Sequence, residues 1–270
     1  MTIKYSLREP MAPGNTLMEK FQTLKELGFS GIEITNSSTA DFADEIKAAS
    51  DATGIVPNIC SSRGGKGLLD ARPQERNAAI QSINDALTLC TEVGGVGVIF
   101  PPLIGIKMGG GQRIPDLSPL YSTSTLEKNL LTEILKRDIA PHAEACDSLL
   151  IIEPLNRYEQ WWPCTVAQGV EICEAVGSPS IATMADLFHM SIEEADLAEA
   201  IRAGGKHIAN VHLADSNRIL PGYGHTDFGP PLKALSDIGY EHYCGFECSI
   251  PPGDAREELR KSMDYLNSHL

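Results

Sequence analysis

Short apolar runs rich in Val, Ile and Leu alternate along the chain with longer segments in which apolar residues recur at helical spacing. A short β-branched run is typical of a buried strand, and recurrence every three or four positions indicates an amphipathic helix. Eight runs predict strands: Ile3–Leu7, Gly31–Thr35, Ile55–Cys60, Val96–Phe100, Leu149–Leu155, Ile181–Leu187, Ile208–Ala214 and Tyr243–Cys248. Eight segments predict helices: Thr16–Leu27, Asp41–Thr53, Pro73–Val93, Thr125–Cys146, Val166–Val176, Ile192–Ala203, Leu232–Ile238 and Ala255–Ser268.

The regular alternation of strands and helices predicts a parallel sheet. Eight such units fit a closed (β/α)8 barrel, and an open doubly wound sheet is the second interpretation. No G-x-G-x-x-G segment follows the first strand, which argues against a classical dinucleotide-binding sheet. We therefore predict an α/β fold in which residues 1–270 form a single (β/α)8 TIM barrel domain. The long irregular segment Pro101–Ser124 is expected to be a lid or an interface element.

Composition narrows the classes of partner. The 270 residues are 42% hydrophobic, which is ample for a buried core, and carry a net charge of −14. That charge argues against nucleic acid or an anionic membrane as the main partner. Seven scattered cysteines without a C-x-x-C pair are typical of reduced thiols in a cytoplasmic protein. Neither a signal peptide nor a membrane-length apolar stretch is visible, so we expect a cytoplasmic protein.

Four side chains with metal-binding groups each stand at the end of an apolar run, at Glu153, Asp186, His212 and Glu247. The gaps between them are 33, 26 and 35 residues. A strand-helix unit takes roughly 30 residues or more, so each residue is expected to end a different, successive strand. In a barrel these strand ends meet at one face. Three carboxylates and one imidazole suit a hard or borderline divalent cation such as manganese, cobalt, magnesium or zinc.

The two glutamates of this set also indicate a reaction. If Glu153 and Glu247 flank a bound substrate, one can remove a proton next to a carbonyl and the other can return one. A Lewis-acidic cation would stabilise the enediolate formed in between. Such a pair can perform epimerisation or aldose–ketose isomerisation of a sugar.

Several segments resemble the xylose-isomerase-like TIM barrel superfamily of sugar isomerases and epimerases, and most of all its D-tagatose and D-psicose 3-epimerase branch. The segments are I-E-P-L-N-R-Y-E, D-L-F-H-M, V-H-L-A-D-S-N-R, P-G-Y-G-H-T-D-F and G-F-E. The resemblance implies that the four residues named above bind one divalent cation, with manganese as the first expectation and cobalt next. It implies that the two glutamates exchange the proton at C3 of a ketose. It also implies sugar contacts from Glu159, His189 and Arg218.

Epimerisation at C3 of a free ketose is the leading hypothesis for the activity. An aldose–ketose isomerase, including the hydroxypyruvate type, and a dehydratase of the inosose or dehydroshikimate type are the alternatives. An endonuclease IV-like nuclease is disfavoured, because its zinc site takes histidines from the first half of the barrel and the first histidine here is His142. The substrate is expected to be a small sugar, free, phosphorylated or acidic. Subunit association into a homo-oligomer is expected through the long loop and the C-terminal strands.

The first half of the chain is expected to set the choice of sugar. Its candidate residues at the barrel mouth are Arg8, Glu9, Asn36, Ser61, Ser62 and Arg63. Trp161 and Trp162 fit two interpretations equally, a cover for the barrel rim or an apolar wall over the sugar. Asp215, which follows the strand of His212, is interpreted as a carboxylate that orients the ligand imidazole.

Overall fold

Eight strands lie within the residues that the computed structural model describes, which are 2–35, 40–62 and 64–270. Each strand lies within a few residues of its predicted place. They are β1 (Lys4–Arg8), β2 (Gly31–Ile34), β3 (Val56–Ser61), β4 (Gly97–Phe100), β5 (Leu149–Ile152), β6 (Ile181–Asp186), β7 (Ile208–His212) and β8 (Tyr243–Phe246).

The strands form a closed parallel barrel in chain order from β1 to β8. β8 pairs with β1 in parallel, with Leu7 opposite Phe246, which closes the sheet. The predicted (β/α)8 TIM barrel is therefore confirmed, and the open sheet is excluded. At the carboxyl end, Asp186 pairs with His212 and His212 pairs with Gly245, so the register brings these three residues of β6, β7 and β8 to one level.

Helices surround the barrel and mostly match the predicted segments. They are α1 (Leu17–Leu27), α2 (Ala40–Thr53), α3 (Pro73–Glu92), α4 (Ile104–Lys107), α5 (Thr123–Ile134), α6 (Ala140–Cys146), α7 (Val166–Val176), α8 (Leu187–Glu193), α9 (Leu197–Gly204), α10 (Gly229–Asp237) and α11 (Ala255–Asn267). In α1, Thr16 accepts a hydrogen bond from the Glu19 backbone amide at 3.2 Å, and Gly28 ends the helix with φ 88°. This start and stop follow directly from the sequence.

Two predicted helices are divided in the structure. The segment Thr125–Cys146 consists of α5, a π-helical turn at Leu135–Ile139 and α6, whose first turn contains Pro141. Proline lacks the amide that a continuous α-helix would use there. The segment Ile192–Ala203 is replaced by α8 and α9, because Asp186 and Asp196 each cap a separate helix. The loop Pro101–Ser124 also holds more structure than predicted, since it contains α4 and an antiparallel bridge between Leu117 and Tyr121.

The buried apolar residues fall into two clusters. Residues of four strands pack together as a separate cluster, which fills the barrel interior below the carboxyl end: Ile59, Ile151, Ala182, Met184 and Ala209. A larger cluster joins strand residues such as Ile32 and Phe246 to helix residues such as Phe21 and Leu24 of α1. The inner cluster supports the polar residues at the carboxyl end from below, as in other packed barrels.

The seven cysteines are all free, four buried and three half-buried. Within residues 2–35, 40–62 and 64–270, no helix has the length and apolar character that a membrane span requires.

Candidate metal centre and active site

Four metal-binding side chains meet at the carboxyl end of the barrel. Glu153 directly follows β5, Asp186 and His212 are the last residues of β6 and β7, and Glu247 directly follows β8. One ligand atom from each residue lies within 4.8 Å of the others. The structure therefore brings together the four residues whose spacing suggested a shared site.

Asp186 has two tasks at this site. Its Oδ1 accepts hydrogen bonds from the backbone amides of Phe188 at 2.8 Å and His189 at 3.1 Å, which starts α8 immediately after β6. Its Oδ2 lies 3.3 Å from Nδ1 of His212, within the four-residue cluster. A carboxylate at a helix N-terminus also interacts favourably with the helix dipole, which stabilises the helix. One side chain thus anchors both the cluster and the helix that carries His189.

The donor set fits one divalent cation. Bonds from such ions to carboxylate oxygen and imidazole nitrogen measure roughly 2.0–2.2 Å, so donors on opposite sides of one ion lie about 4.4 Å apart or less. The four ligand atoms lie up to 4.8 Å apart here, so a small side-chain movement would bring them to that spacing. Three of the residues are buried and Glu247 is half-buried, which leaves one side of the cluster open to the pocket. Oxygen and nitrogen donors without thiolate suit a hard or borderline divalent metal.

The ionisation of the cluster reflects its burial. Burial raises the pKa of Glu153 to about 7, although the His212 imidazolium opposes the shift. Burial alone would lower the pKa of His212, but the carboxylates of Glu33 and Asp186 outweigh it and raise the pKa to about 10. Burial likewise disfavours the charged form of Asp186, yet the two neighbouring imidazoles lower its pKa to about 2. In the metal-free protein a proton on His212 therefore balances part of the negative charge.

Glu33 is a further buried carboxylate at this site, for which the sequence suggested no role. Both of its carboxylate oxygens lie 3.2 Å from Nε2 of His212, and the residue is 2% exposed. Its signal was a glutamate inside the otherwise apolar run Gly-Ile-Glu-Ile of β2. Asp215 was expected at this place, and that expectation is wrong. Its oxygens accept hydrogen bonds from the backbone amides of Gly222, Gly224 and Thr226 and so order the loop after β7.

His189 presents a hydrogen-bond donor beside the cluster. Its Nδ1 accepts hydrogen bonds from the backbone amide of Asn156 at 3.1 Å and from the Asn156 side chain at 2.8 Å. Because a backbone amide can only donate, the proton of the neutral ring lies on Nε2. Burial lowers the pKa of His189, which favours that neutral ring. Nε2 lies 3.9 Å from Oδ2 of Asp186 and has no hydrogen-bond partner among the described residues.

Arg218 lies over the same site and contacts two of its acidic residues. Its guanidinium donates to Oε1 of Glu159 at 3.0 Å and lies 3.8 Å from Oε2 of Glu247. It also stacks 4.7 Å from the ring centre of Phe188. The backbone of Arg218 has φ 58°, in the left-handed region that non-glycine residues rarely adopt. A residue held there costs of order 1–3 kcal/mol, which indicates a positional demand on this side chain.

A pocket of about 480 Å³ opens above the cluster. Its lining includes both glutamates of the cluster, together with Glu159, Arg218, Ser61, Ser62 and Lys66. The candidate mouth residue Arg8 lines it too and donates to Oε1 of Glu247. Glu9 pairs with Lys20 instead. Asn36 and Arg63 lie outside the described residues.

The long loop after β4 is fastened over the loop after β5 through Trp161. The guanidinium of Arg113 lies 4.2 Å and the ammonium of Lys107 lies 5.5 Å from the Trp161 ring centre. Arg113 is in turn held by the buried carboxylate of Glu127, at 2.9 Å. The described pocket lining includes neither Trp161 nor Trp162, which favours their interpretation as covers of the barrel rim.

A family model described as xylose isomerase-like TIM barrel matches residues 21–269. The chain belongs to this family. The predicted superfamily is thereby confirmed, on a match that covers nearly the whole barrel, including all four cluster residues.

The relatives within the family include several sugar epimerases. A 3-dehydro-D-guloside 4-epimerase of Escherichia coli is 29% identical over 255 residues, which cover 93% of this chain and 94% of the relative. An L-ribulose 3-epimerase of Mesorhizobium japonicum is 30% identical over 228 residues, which cover 83% and 72%. The crystal structure of an E. coli 3-keto-D-glucoside 4-epimerase has a TM-score of 0.87 at 26% identity and covers 99% of this chain and 100% of its own. These relatives support a sugar epimerase activity, which was the leading hypothesis among the alternatives that the paired glutamates left open.

Proposed function

We propose that the chain is a divalent-metal-dependent sugar epimerase that inverts a carbon next to a ketone. The observation that carries the proposal is the presence of two glutamates in one four-donor cluster. Glu153 and Glu247 come from β5 and β8, three strands apart around the barrel, so they reach a bound sugar from different directions. Inversion needs a proton acceptor on one face of the carbon and a donor on the other, whereas binding alone needs neither.

A divalent cation in the cluster would supply Lewis-acid stabilisation of the negative charge that develops on the sugar oxygens. Glu153 or Glu247 takes the proton from one face of the carbon, and the other glutamate returns a proton to the opposite face. In the reverse direction the two glutamates exchange these tasks, so each is the base for one of the two epimers.

Three further residues are proposed to hold the sugar. The Nε2–H of His189 lies beside Asp186 without a hydrogen-bond partner among the described residues, and we propose that it donates to a sugar oxygen held at the cluster, although His189 is buried and lies outside the pocket lining. Arg218 and Glu159 are joined by their 3.0 Å hydrogen bond and line the pocket together. A donor and an acceptor fixed against each other can orient neighbouring hydroxyl groups of one sugar.

The first candidate reaction is epimerisation at C3 of a free ketose, which the L-ribulose 3-epimerase relative favours. The second is epimerisation at C4 of a 3-keto glycoside, favoured by the E. coli relative that this chain covers over 94% of its length. Both reactions invert the carbon beside a ketone, so the same two glutamates serve either.

Manganese is the proposed cation, with cobalt, magnesium and zinc as alternatives, because the three carboxylates and one imidazole accept all four. Several assignments stay predictions from the sequence. They are the single domain over residues 1–270, the homo-oligomer, the cytoplasmic location and the lack of a nucleic-acid partner.

Solvent isotope exchange tests the proposed reaction. The manganese-loaded protein is incubated in heavy water with free ketoses, 3-keto glycosides, aldoses and inososes, and the products are analysed by mass spectrometry and NMR. Deuterium at C3 of a ketose with formation of its epimer supports the first candidate, and deuterium at C4 of a 3-keto glycoside supports the second. An aldose–ketose change indicates an isomerase, and loss of water indicates a dehydratase. Absence of exchange with every sugar would contradict the proposal.

Variants of the two glutamates test the two-base scheme. Glu153→Gln and Glu247→Gln should each exchange deuterium into a different single epimer without interconverting the pair, because one base remains on one face. Glu193→Gln is the matched control, since Glu193 pairs with Arg157 outside the pocket lining and should leave epimerisation intact. Full epimerisation by either cluster variant would refute the scheme.

A further inference from the structure

Glu33 meets His212 on the side of the imidazole that faces away from the four-residue cluster. The Nδ1 side of the ring faces the cluster, with Glu247 Oε2 at 3.0 Å and Asp186 Oδ2 at 3.3 Å. The Nε2 side faces both oxygens of Glu33 at 3.2 Å. Both nitrogens of the ring are therefore engaged, and each one has a distinct set of partners.

The space for the Glu33 carboxylate exists because residue 245 has no side chain. A Cβ on Gly245 would lie 2.3 Å from Oε1 of Glu33 and 3.0 Å from Oγ of Ser6. Real carbon atoms do not approach an oxygen so closely, so any larger residue would displace the carboxylate. Gly245 is also the β8 partner of His212 in the strand register and directly precedes Phe246 and Glu247.

We infer that Glu33 is a positioning residue for the ligand His212, and that Gly245 is needed to admit it. The inference rests on the metal site of the proposed function. A hydrogen bond from Nε2–H to Glu33 fixes the tautomer in which the lone pair of Nδ1 is available to the cation. The carboxylate also fixes the plane of the ring and makes the imidazole a stronger electron-pair donor to the cation.

Replacement of the charge alone is the first test. Glu33→Gln keeps the shape and one hydrogen-bond acceptor but loses the carboxylate charge. We expect the affinity for Mn²⁺, measured by titration calorimetry without any sugar, to fall by about 10- to 100-fold. Glu127→Gln is the matched control, because Glu127 is also a 2% exposed glutamate but is bound by Arg113 in a different part of the molecule. It should lower the melting temperature without changing the affinity for Mn²⁺.

A double-variant comparison tests whether Gly245 acts through Glu33. Gly245→Ala should lower the Mn²⁺ affinity in the wild-type background, because its Cβ displaces the Glu33 carboxylate. In the Glu33→Ala background the same substitution should cause little further loss, since the carboxylate is already absent. Circular dichroism and thermal melts show which variants are folded, and only folded variants enter the comparison.

The outcomes separate the inference from the function on which it rests. Folded Glu33→Gln with wild-type Mn²⁺ affinity overturns the inference alone. Equal losses from Gly245→Ala in both backgrounds overturn the link between Gly245 and Glu33. A wild-type chain that binds no Mn²⁺ overturns the proposed function together with the inference.

Discussion

Binding of a divalent cation should release protons in a number that depends on pH. Glu153 has a pKa of about 7 and His212 a pKa of about 10 in the metal-free protein, and both must lose their protons to become ligands. Near pH 7 Glu153 is partly protonated and His212 is mostly protonated, so binding should release between about one and two protons. The release should approach two protons below the pKa of Glu153 and fall towards one above it.

These numbers also fix the change in affinity. The logarithm of the binding constant rises with pH in proportion to the number of protons released. A release of between one and two protons over the two units from pH 6 to pH 8 corresponds to a gain in Mn²⁺ affinity of about 100- to 10,000-fold. Asp186, with its pKa of about 2, is ionised throughout this range and contributes nothing to the change.

Titration calorimetry in pairs of buffers with different ionisation enthalpies measures the proton release directly. Glu153→Gln provides the matched control, because only His212 then loses a proton and the release should stay near one across the same pH range. A wild-type release that does not change with pH, or that falls below about one at pH 7, would refute the assignment of these two groups.

Three further predictions concern stability and substrate binding. Phe246→Ala should reduce the free energy of unfolding by about 3–5 kcal/mol in denaturant melts, because Phe246 is fully buried and packs against Phe29 at 5.7 Å; a loss below about 1 kcal/mol would contradict this packing. Asn156→Ala removes the side-chain hydrogen bonds to His189 and Glu159, which are worth about 1–3 kcal/mol. We therefore expect kcat/KM to fall by about 5- to 150-fold, and unchanged kinetics would contradict this role of Asn156. Arg218→Asn should raise the melting temperature, because asparagine tolerates φ 58° better than arginine, and a less stable variant would contradict this account of the strain. The same variant should lower kcat/KM, because the guanidinium that lines the pocket is lost.

The fold and the four-residue cluster were largely predictable because their signals are local and periodic. Each cluster residue ends an apolar run, and the regular spacing of strands in a barrel then places those ends together. Helix boundaries that depend on a single side chain were harder to predict from the sequence. The helix after β6 begins earlier than predicted because Asp186 caps it, which the apolar pattern does not encode.

Glu33 was missed because its partner is distant in the chain. His212 lies 179 residues away, and the two meet only across the closed barrel interior. Asp215 was preferred for the opposite reason, because it is close to His212 in sequence. In the structure its carboxylate accepts hydrogen bonds from the backbone amides of its own loop. Proximity along the chain is a poor guide to contacts made through the inside of a barrel.

The shared position of Asp186 limits how the enzyme could be re-engineered. Glutamate at this position would change the distance to the cation, but it is a poor helix cap, so the start of α8 and the position of His189 would shift as well. A substitution at Asp186 that changes the metal site would therefore also change the position of His189, so metal preference and sugar binding cannot be altered independently at this residue. Variants that alter metal preference alone are better sought at positions that touch the ligands without capping a helix.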